Sequence, residues 1–130
     1  MILLDTDICI ELLRGNQTVI EKRQTYDDTV AISFMSVAEL FYGAEKSDHK
    51  MENVSLIDDF LFTVDIIHSE LEILKKFGEI KTNLGKAGNM LADADIFIAA
   101  TAIIKCNMLI TGNIKHFKRI EELRVENWIR

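Results

Sequence analysis

Short apolar runs alternate with amphipathic stretches along the whole chain. Residues 2–4, 29–33, 63–67 and 108–111 are apolar or β-branched segments too short to be helices, and they are predicted as strands. Helical spacing is predicted over residues 6–14, stopped by Gly15, and over 17–26, with Asn16 as N-cap. Further helices are predicted over 36–46, 50–62, 70–84 and 92–106, with a short one over 114–120. In the 70–84 stretch Leu71, Leu74, Phe77, Ile80 and Leu84 recur at helical spacing. Residues 85–90 form a polar loop with two glycines, and 124–125 can add an edge strand. Strands alternating with helices predict an α/β domain, a parallel sheet of four to five strands covered on both faces. One domain over residues 1–130 accounts for the length.

Several of these apolar runs meet an oxygen-bearing side chain. The first strand stops at Asp5, the second leads to Glu39, Asp95 opens the run from Ile96 to Ala100, and the last core strand stops at Thr111, with Asn113 just beyond. Residues past the carboxyl ends of parallel strands face the crevice where ligands bind. Carboxylates gathered there repel one another and call for a cation.

The candidates differ in strength. Asp5 closes a buried strand, whereas Asp7 reads as a helix N-terminal residue favoured by the dipole. Ser36-Val37-Ala38-Glu39 fits a capping box, yet Glu39 points away from the stripe of Val37, Leu40, Phe41 and Ala44. Gly43 shares the Glu39 face, and a helical glycine costs about 1 kcal/mol against alanine, so it often marks a close approach. Asp95 lies on the same stripe as Ile98, Ala99 and Ala102 and is expected to be buried, which demands protonation, a partner or a cation. Asp93 stands about 200° away round the helix and is predicted as its N-cap. Gly112-Asn113 fits turn chemistry. His49, His68 and His116 form no ligand spacing, although His116 is close to Asn113.

Composition narrows the classes. Hydrophobic residues at 48% and charged residues at 28% describe a soluble globular chain, and the longest apolar run is far short of the roughly 20 residues that span a bilayer. Asp5 and Asp7 argue against an export signal, and Cys9 and Cys106 read as buried free thiols of a reducing cytoplasm. A net charge of −6 argues against a general nucleic-acid coating protein but not against a nuclease, whose acids count as negative until metal loads. Lys75, Lys76, Lys81, Lys86, Lys115, Lys118 and Arg119 flank the acidic segments and read first as solvated helix faces. An all-oxygen donor set without a Cys–His pairing points to Mg²⁺ or Mn²⁺ rather than zinc. The residues alone stop at a metal-dependent, phosphate-handling enzyme.

At these same residues the chain resembles the PIN-domain ribonucleases, in particular the VapC toxins of toxin–antitoxin pairs. LLDTDICIELLRG resembles that family's first motif, SFMSVAELFYGA the second, DADIFIAATA the third, and LITGNIKHFKRIEELRVENW the C-terminal segment with its closing tryptophan. The resemblance implies a PIN-like three-layer α/β/α fold. It places Asp5, Glu39 and Asp95 on the family's metal-binding acids; Asn113 and Thr111 are expected to assist through water or side-chain oxygen. Asn113 falls where many members carry a fourth acid, and the family's DF pair is replaced by His116-Phe117, departures that bear on a second metal rather than the first. The implied activity is a Mg²⁺- or Mn²⁺-dependent endoribonuclease acting on tRNA or rRNA and leaving 5′-phosphate and 3′-hydroxyl ends. The implied partners are a second copy in a homodimer and a VapB-type antitoxin, together a hetero-oligomer, in which an antitoxin arginine enters the acidic pocket.

Two other readings fit parts of the chain. A catalytically silent PIN-type binding module would keep the acidic pocket without turnover, and Asn113 favours it. Asp5-Thr6-Asp7 after a strand also mimics the DxD of haloacid-dehalogenase-type phosphatases, but Asp58-Asp59 comes too early for that family's late acidic pair.

Overall fold

The computed structural model describes residues 1–129; Arg130, the last residue of the expected domain, lies outside the described residues. The order of elements is β1 (Ile2–Leu4), α1 (Thr6–Leu13), α2 (Gln17–Thr25), β2 (Val30–Ser33), α3 (Phe34–Glu45), α4 (Lys50–Leu61), β3 (Asp65–Ile67), α5 (Leu71–Lys86), α6 (Asp93–Lys105), β4 (Leu109–Ile110), α7 (Ile114–Phe117) and β5 (Val125–Glu126). The five strands form one sheet in the order β3-β2-β1-β4-β5, with every neighbouring pair parallel.

Side-chain alternation along β1 explains the layers. Ile2 and Leu4 join one apolar cluster with Ile8, Leu40, Ile57 and Trp128, and Leu3 joins another with Ile73, Ile80, Ile96 and Ala99. All three strand residues are fully buried because helices cover both faces, so β1 reads as a continuous apolar run. α1 to α4 supply one layer and α5 and α6 the other. No helix is long and apolar enough to cross a membrane among the described residues.

The topology positions the site. From β1 the chain builds outward through β2 and β3, whereas β4 lies on the other side of β1. The sheet therefore changes direction between β1 and β4, and a crevice opens at the carboxyl ends of those two strands. Asp5 follows β1 there and Thr111 follows β4. α6 returns the chain to the start of β4, so its first turn, with Asp95, stands at the same edge.

Several boundaries differ from those predicted, three of them for a visible reason. α3 begins at Phe34 instead of residue 36, because the Ser33 hydroxyl caps it by accepting from the Met35 and Ser36 amides at 2.9 and 3.3 Å. Ser36 is thus inside the helix, and the expected Ser36–Glu39 capping box is not formed. α5 runs to Lys86 and stops where Gly88 takes φ +69°, with the Asn89 amide returning to the Leu84 carbonyl at 2.9 Å. Ala92, not Asp93, is the cap residue of α6, and Asp93 instead pairs with Lys81 at 2.9 Å. Cys9 is buried as expected, but Cys106 is only half-buried.

Candidate metal and active site

Asp5 is 5% exposed and is fixed by two hydrogen bonds. Its Oδ1 accepts from the Thr6 amide at 2.8 Å, and its Oδ2 accepts from the fully buried Thr111 hydroxyl at 2.7 Å. The same Thr111 oxygen accepts from the Asn113 amide at 3.0 Å, so one hydroxyl ties the loop after β4 to the carboxylate after β1. Burial, and after it the nearby Asp7 carboxylate, pushes the Asp5 carboxyl up to about 7, against the lowering effect of the Thr111 and Thr6 hydrogen bonds.

Glu39 projects from α3 toward α1. The Thr6 hydroxyl stands 2.7 Å from Glu39 Oε1, to which it donates, and 2.9 Å from Oγ of the buried Ser36. Thr6 lies between two aspartates in sequence, so its hydroxyl brings Glu39 to the Asp5–Asp7 turn. Sequence reasoning assigned Thr6 no role; the threonine of Asp5-Thr6-Asp7 was the available signal.

Asp95 occupies the first turn of α6, where the helix dipole favours a carboxylate. It was expected to be buried, but its side chain is 30% exposed, because the first turn opens at the sheet edge and the apolar core begins at Ile96. Partial burial raises its carboxyl and His116 lowers it; His116 Nδ1 stands 4.0 Å from Asp95 Oδ2. Asp95 is also close enough to raise both Asp5 and Asp7 electrostatically. Asp7 Oδ2 accepts from the Gly112 amide at 2.8 Å, an interaction invisible in the sequence because the two residues are 105 positions apart. The exposed Asn113 precedes α7, and its side chain makes no capping hydrogen bond there.

Asp5, Glu39, Asp95 and Thr111 thus line one edge of the sheet, with Asn113 at its margin. Among the described residues, no lysine or arginine forms an ion pair with Asp5, Asp7 or Glu39. Nor do any three carboxylates, histidines or thiols converge into a closed metal cage among those residues. Asp5, Glu39 and Asp95, expected to meet on one ion, thus share an edge without forming a ready-made ligand cluster among the described residues. An open, all-oxygen set without a lysine or arginine partner among the described residues fits Mg²⁺ or Mn²⁺, since Mg²⁺ typically keeps several waters and takes only one or two carboxylates. Asp5 and Asp95, with Glu39 beside them, are the residues that would hold it. A concavity lined by Ile80, Leu84, Arg119 and Glu122 among others includes none of these acids and offers no comparable chemistry.

The PIN domain family model matches residues 2–123. Ribonuclease VapC2 of Haemophilus influenzae is 36% identical over 128 residues, covering 98% of this chain and 97% of that protein. The tRNA(fMet)-specific endonuclease VapC of Shigella flexneri is 29% identical, covering 97% and 96%. The crystal structure of VapBC2 from Rickettsia felis, bound to a DNA fragment from its promoter, aligns with a TM-score of 0.93 at 36% identity, covering 98% of this chain and 99% of that one. On this family match and these identities, the chain belongs to the PIN-domain family, in its VapC branch.

Proposed function

We propose that this chain is the ribonuclease toxin of a toxin–antitoxin pair, a Mg²⁺- or Mn²⁺-dependent endoribonuclease. The observation that carries the reading is the group of half-buried and buried carboxylates at the β1/β4 crevice, which among the described residues has no lysine or arginine partner and only His116 beside Asp95. A divalent cation there would neutralise these acids and lower the pKa of a water for attack on the phosphodiester.

The chain's own residues prepare that chemistry. Thr111 and the Thr6 amide hold both oxygens of Asp5, and the Thr6 hydroxyl orients Glu39. The first turn of α6 presents Asp95 with its dipole already favouring negative charge. Asn113, at the edge of the crevice, assists by its side-chain oxygen or through water. Lys115 and Lys118 on and beside α7 are the nearest basic residues in sequence to meet RNA phosphates. In the family's pattern the substrate is tRNA or rRNA, and tRNA(fMet) is named for the Shigella relative.

Partners follow from the same comparisons. VapBC complexes recur among the similar solved structures, from Rickettsia felis, Salmonella typhimurium and Haemophilus influenzae. We read this chain as the toxin of such a pair, held by a VapB-type antitoxin whose arginine would meet the acids of the crevice. Tyr42, Met51, Leu56 and Phe62 leave apolar surface exposed in the stretch where a homodimer contact is expected. An intracellular RNA target and free cysteines fit a cytoplasmic location.

The silent-module reading keeps one observation in its favour, the absence of a closed metal cage among the described residues. The phosphatase reading falls with the family assignment. Purified protein incubated with bulk tRNA should cut it with Mg²⁺ or Mn²⁺ present and stop on chelation. Asp5→Ala and Asp95→Ala should lose about 100-fold or more in rate, as expected when groups supplying several kcal/mol at the reacting centre are removed. Cleavage by both variants at the wild-type rate would refute the assignment.

A further inference from the structure

We propose that Ser36 is a positioning residue of the site: its buried hydroxyl donates to the Thr6 hydroxyl, and this bond directs the Thr6 proton onto Glu39. The inference rests on the nuclease reading above, which gives Ser36 no part.

Counting protons carries it. The Thr6 hydroxyl has one proton and two oxygens in range, Glu39 Oε1 at 2.7 Å and Ser36 Oγ at 2.9 Å. An ionised carboxylate can only accept, so that proton lies toward Glu39 and the Ser36 proton makes the second bond. The hydrogen bonds therefore run one way, from Ser36 in α3 to Thr6 at the start of α1, and back to Glu39 one turn further along α3. A hydroxyl that accepts from one partner while donating to another is polarised, and its bond to the carboxylate strengthens.

The Ser36 hydroxyl has no competing task. Ser33, not Ser36, caps α3. Thr82 and Thr101 donate to the helical carbonyls four residues behind them, Gly78 and Phe97, each at 2.8 Å. Ser36 stands in the first turn, and the residue four behind it, Ile32, belongs to β2. Its side chain is fully buried and faces a different helix, where Thr6 is its one hydrogen-bond partner among the described residues. Alanine would suit a buried helical position better, so the contact with Thr6 is the physical reason for a hydroxyl there. Without that donor the Thr6 oxygen is unfixed on one side, and the Glu39 carboxylate with it.

The test measures kcat and KM for tRNA cleavage in Mn²⁺, and urea denaturation in EDTA, for wild type, Ser36→Ala, Thr6→Val and the double variant. Ser36→Ala is expected to lower kcat about 3- to 10-fold with KM unchanged, less than the loss of about 10- to 100-fold typical of residues that contact a metal ligand directly. In a chain carrying Thr6→Val, Ser36→Ala should lower kcat no further, because the bond through which it acts is already gone. In EDTA it should lower the denaturation midpoint of wild type and raise that of Thr6→Val, where the Ser36 hydroxyl is buried without a partner. A wild-type kcat in Ser36→Ala, an equal loss of kcat in both backgrounds, or the same midpoint shift in both overturns the role of Ser36. A wild-type protein that cuts no RNA in Mn²⁺ overturns the nuclease reading itself, and the role of Ser36 with it.

Discussion

Thr111 donates a 2.7 Å hydrogen bond to Asp5 across 106 positions of sequence, and this bond joins the two strand ends between which the sheet changes direction. The hydroxyl also accepts from the Asn113 amide, so one atom orients an acid and shapes the loop beside it. Thr111→Val keeps the shape and removes both interactions. It should cost about 1–3 kcal/mol of stability, because a buried carboxylate oxygen and an amide lose their partner, and about 10- to 100-fold in RNA cleavage rate. Thr111→Ser should recover most of both losses. Chemical denaturation and initial rates on one substrate read the two effects.

Stability of the metal-free protein should depend on Asp5 in a definite direction. Its folded carboxyl sits at about 7, against 3.8 for an ordinary aspartate, so between these values the folded state binds more protons than the unfolded one. Stability therefore falls as pH rises from about 4 to about 7, by on the order of 4 kcal/mol at most from this group. The upward shifts of Asp7 and Asp95 act in the same direction. Asp5→Asn should flatten the decline and melt higher than wild type at pH 7 in EDTA while losing cleavage. A decline of the same size in Asp5→Asn would assign it to other groups.

The Thr6 hydroxyl is expected to matter through Glu39. Thr6→Val removes the donor that stands 2.7 Å from Glu39 Oε1, while Thr6→Ser retains it. Cleavage should drop about tenfold in the valine variant and stay near wild type in the serine variant, as for other residues that orient ligands from behind. Equal rates for the two variants would leave Thr6 without a role in the site.

A side chain at Gly112 should be costly while Asp7 is present. An added Cβ meets Asp7 Oδ2 at 2.6 Å and the Ile129 methyl Cδ1 at 2.8 Å, inside a hydrogen bond that holds the carboxylate in place. Gly112→Ala is expected to cost about 1–3 kcal/mol, the usual penalty for overpacking a tight contact. In a chain already carrying Asp7→Ala the same substitution should cost clearly less. A double-mutant cycle by denaturation measures the coupling.

Most of the fold could be read from periodicity. The apolar runs at residues 2–4 and 108–111 became the paired central strands, and Gly15 and Asn16 separate α1 from α2 as their types suggest. The start of α3 was misplaced because Phe34 and Met35 extend the apolar run of β2, and only the capping geometry of Ser33 shows where the strand ends. Gly85 does not stop α5, since the left-handed backbone falls at Gly88.

The candidate site was partly legible. Asp5 and Asp95 stand out because carboxylates beside apolar runs need a reason. The exposure of Asp95 did not follow from its helical stripe, which ignores that a first turn at the sheet edge borders solvent. Thr6–Glu39 and Asp7–Gly112 could not be found by spacing, because each joins elements that only the folded sheet brings together.

Soaking crystals with Mn²⁺ and locating the ion by its anomalous scattering tests the reading most directly. A peak within coordination distance of Asp5 and Asp95, with waters completing its shell and weakened in Asp95→Ala crystals, is expected. No peak at this edge, from a preparation that still cuts RNA in the presence of a chelator, would contradict it.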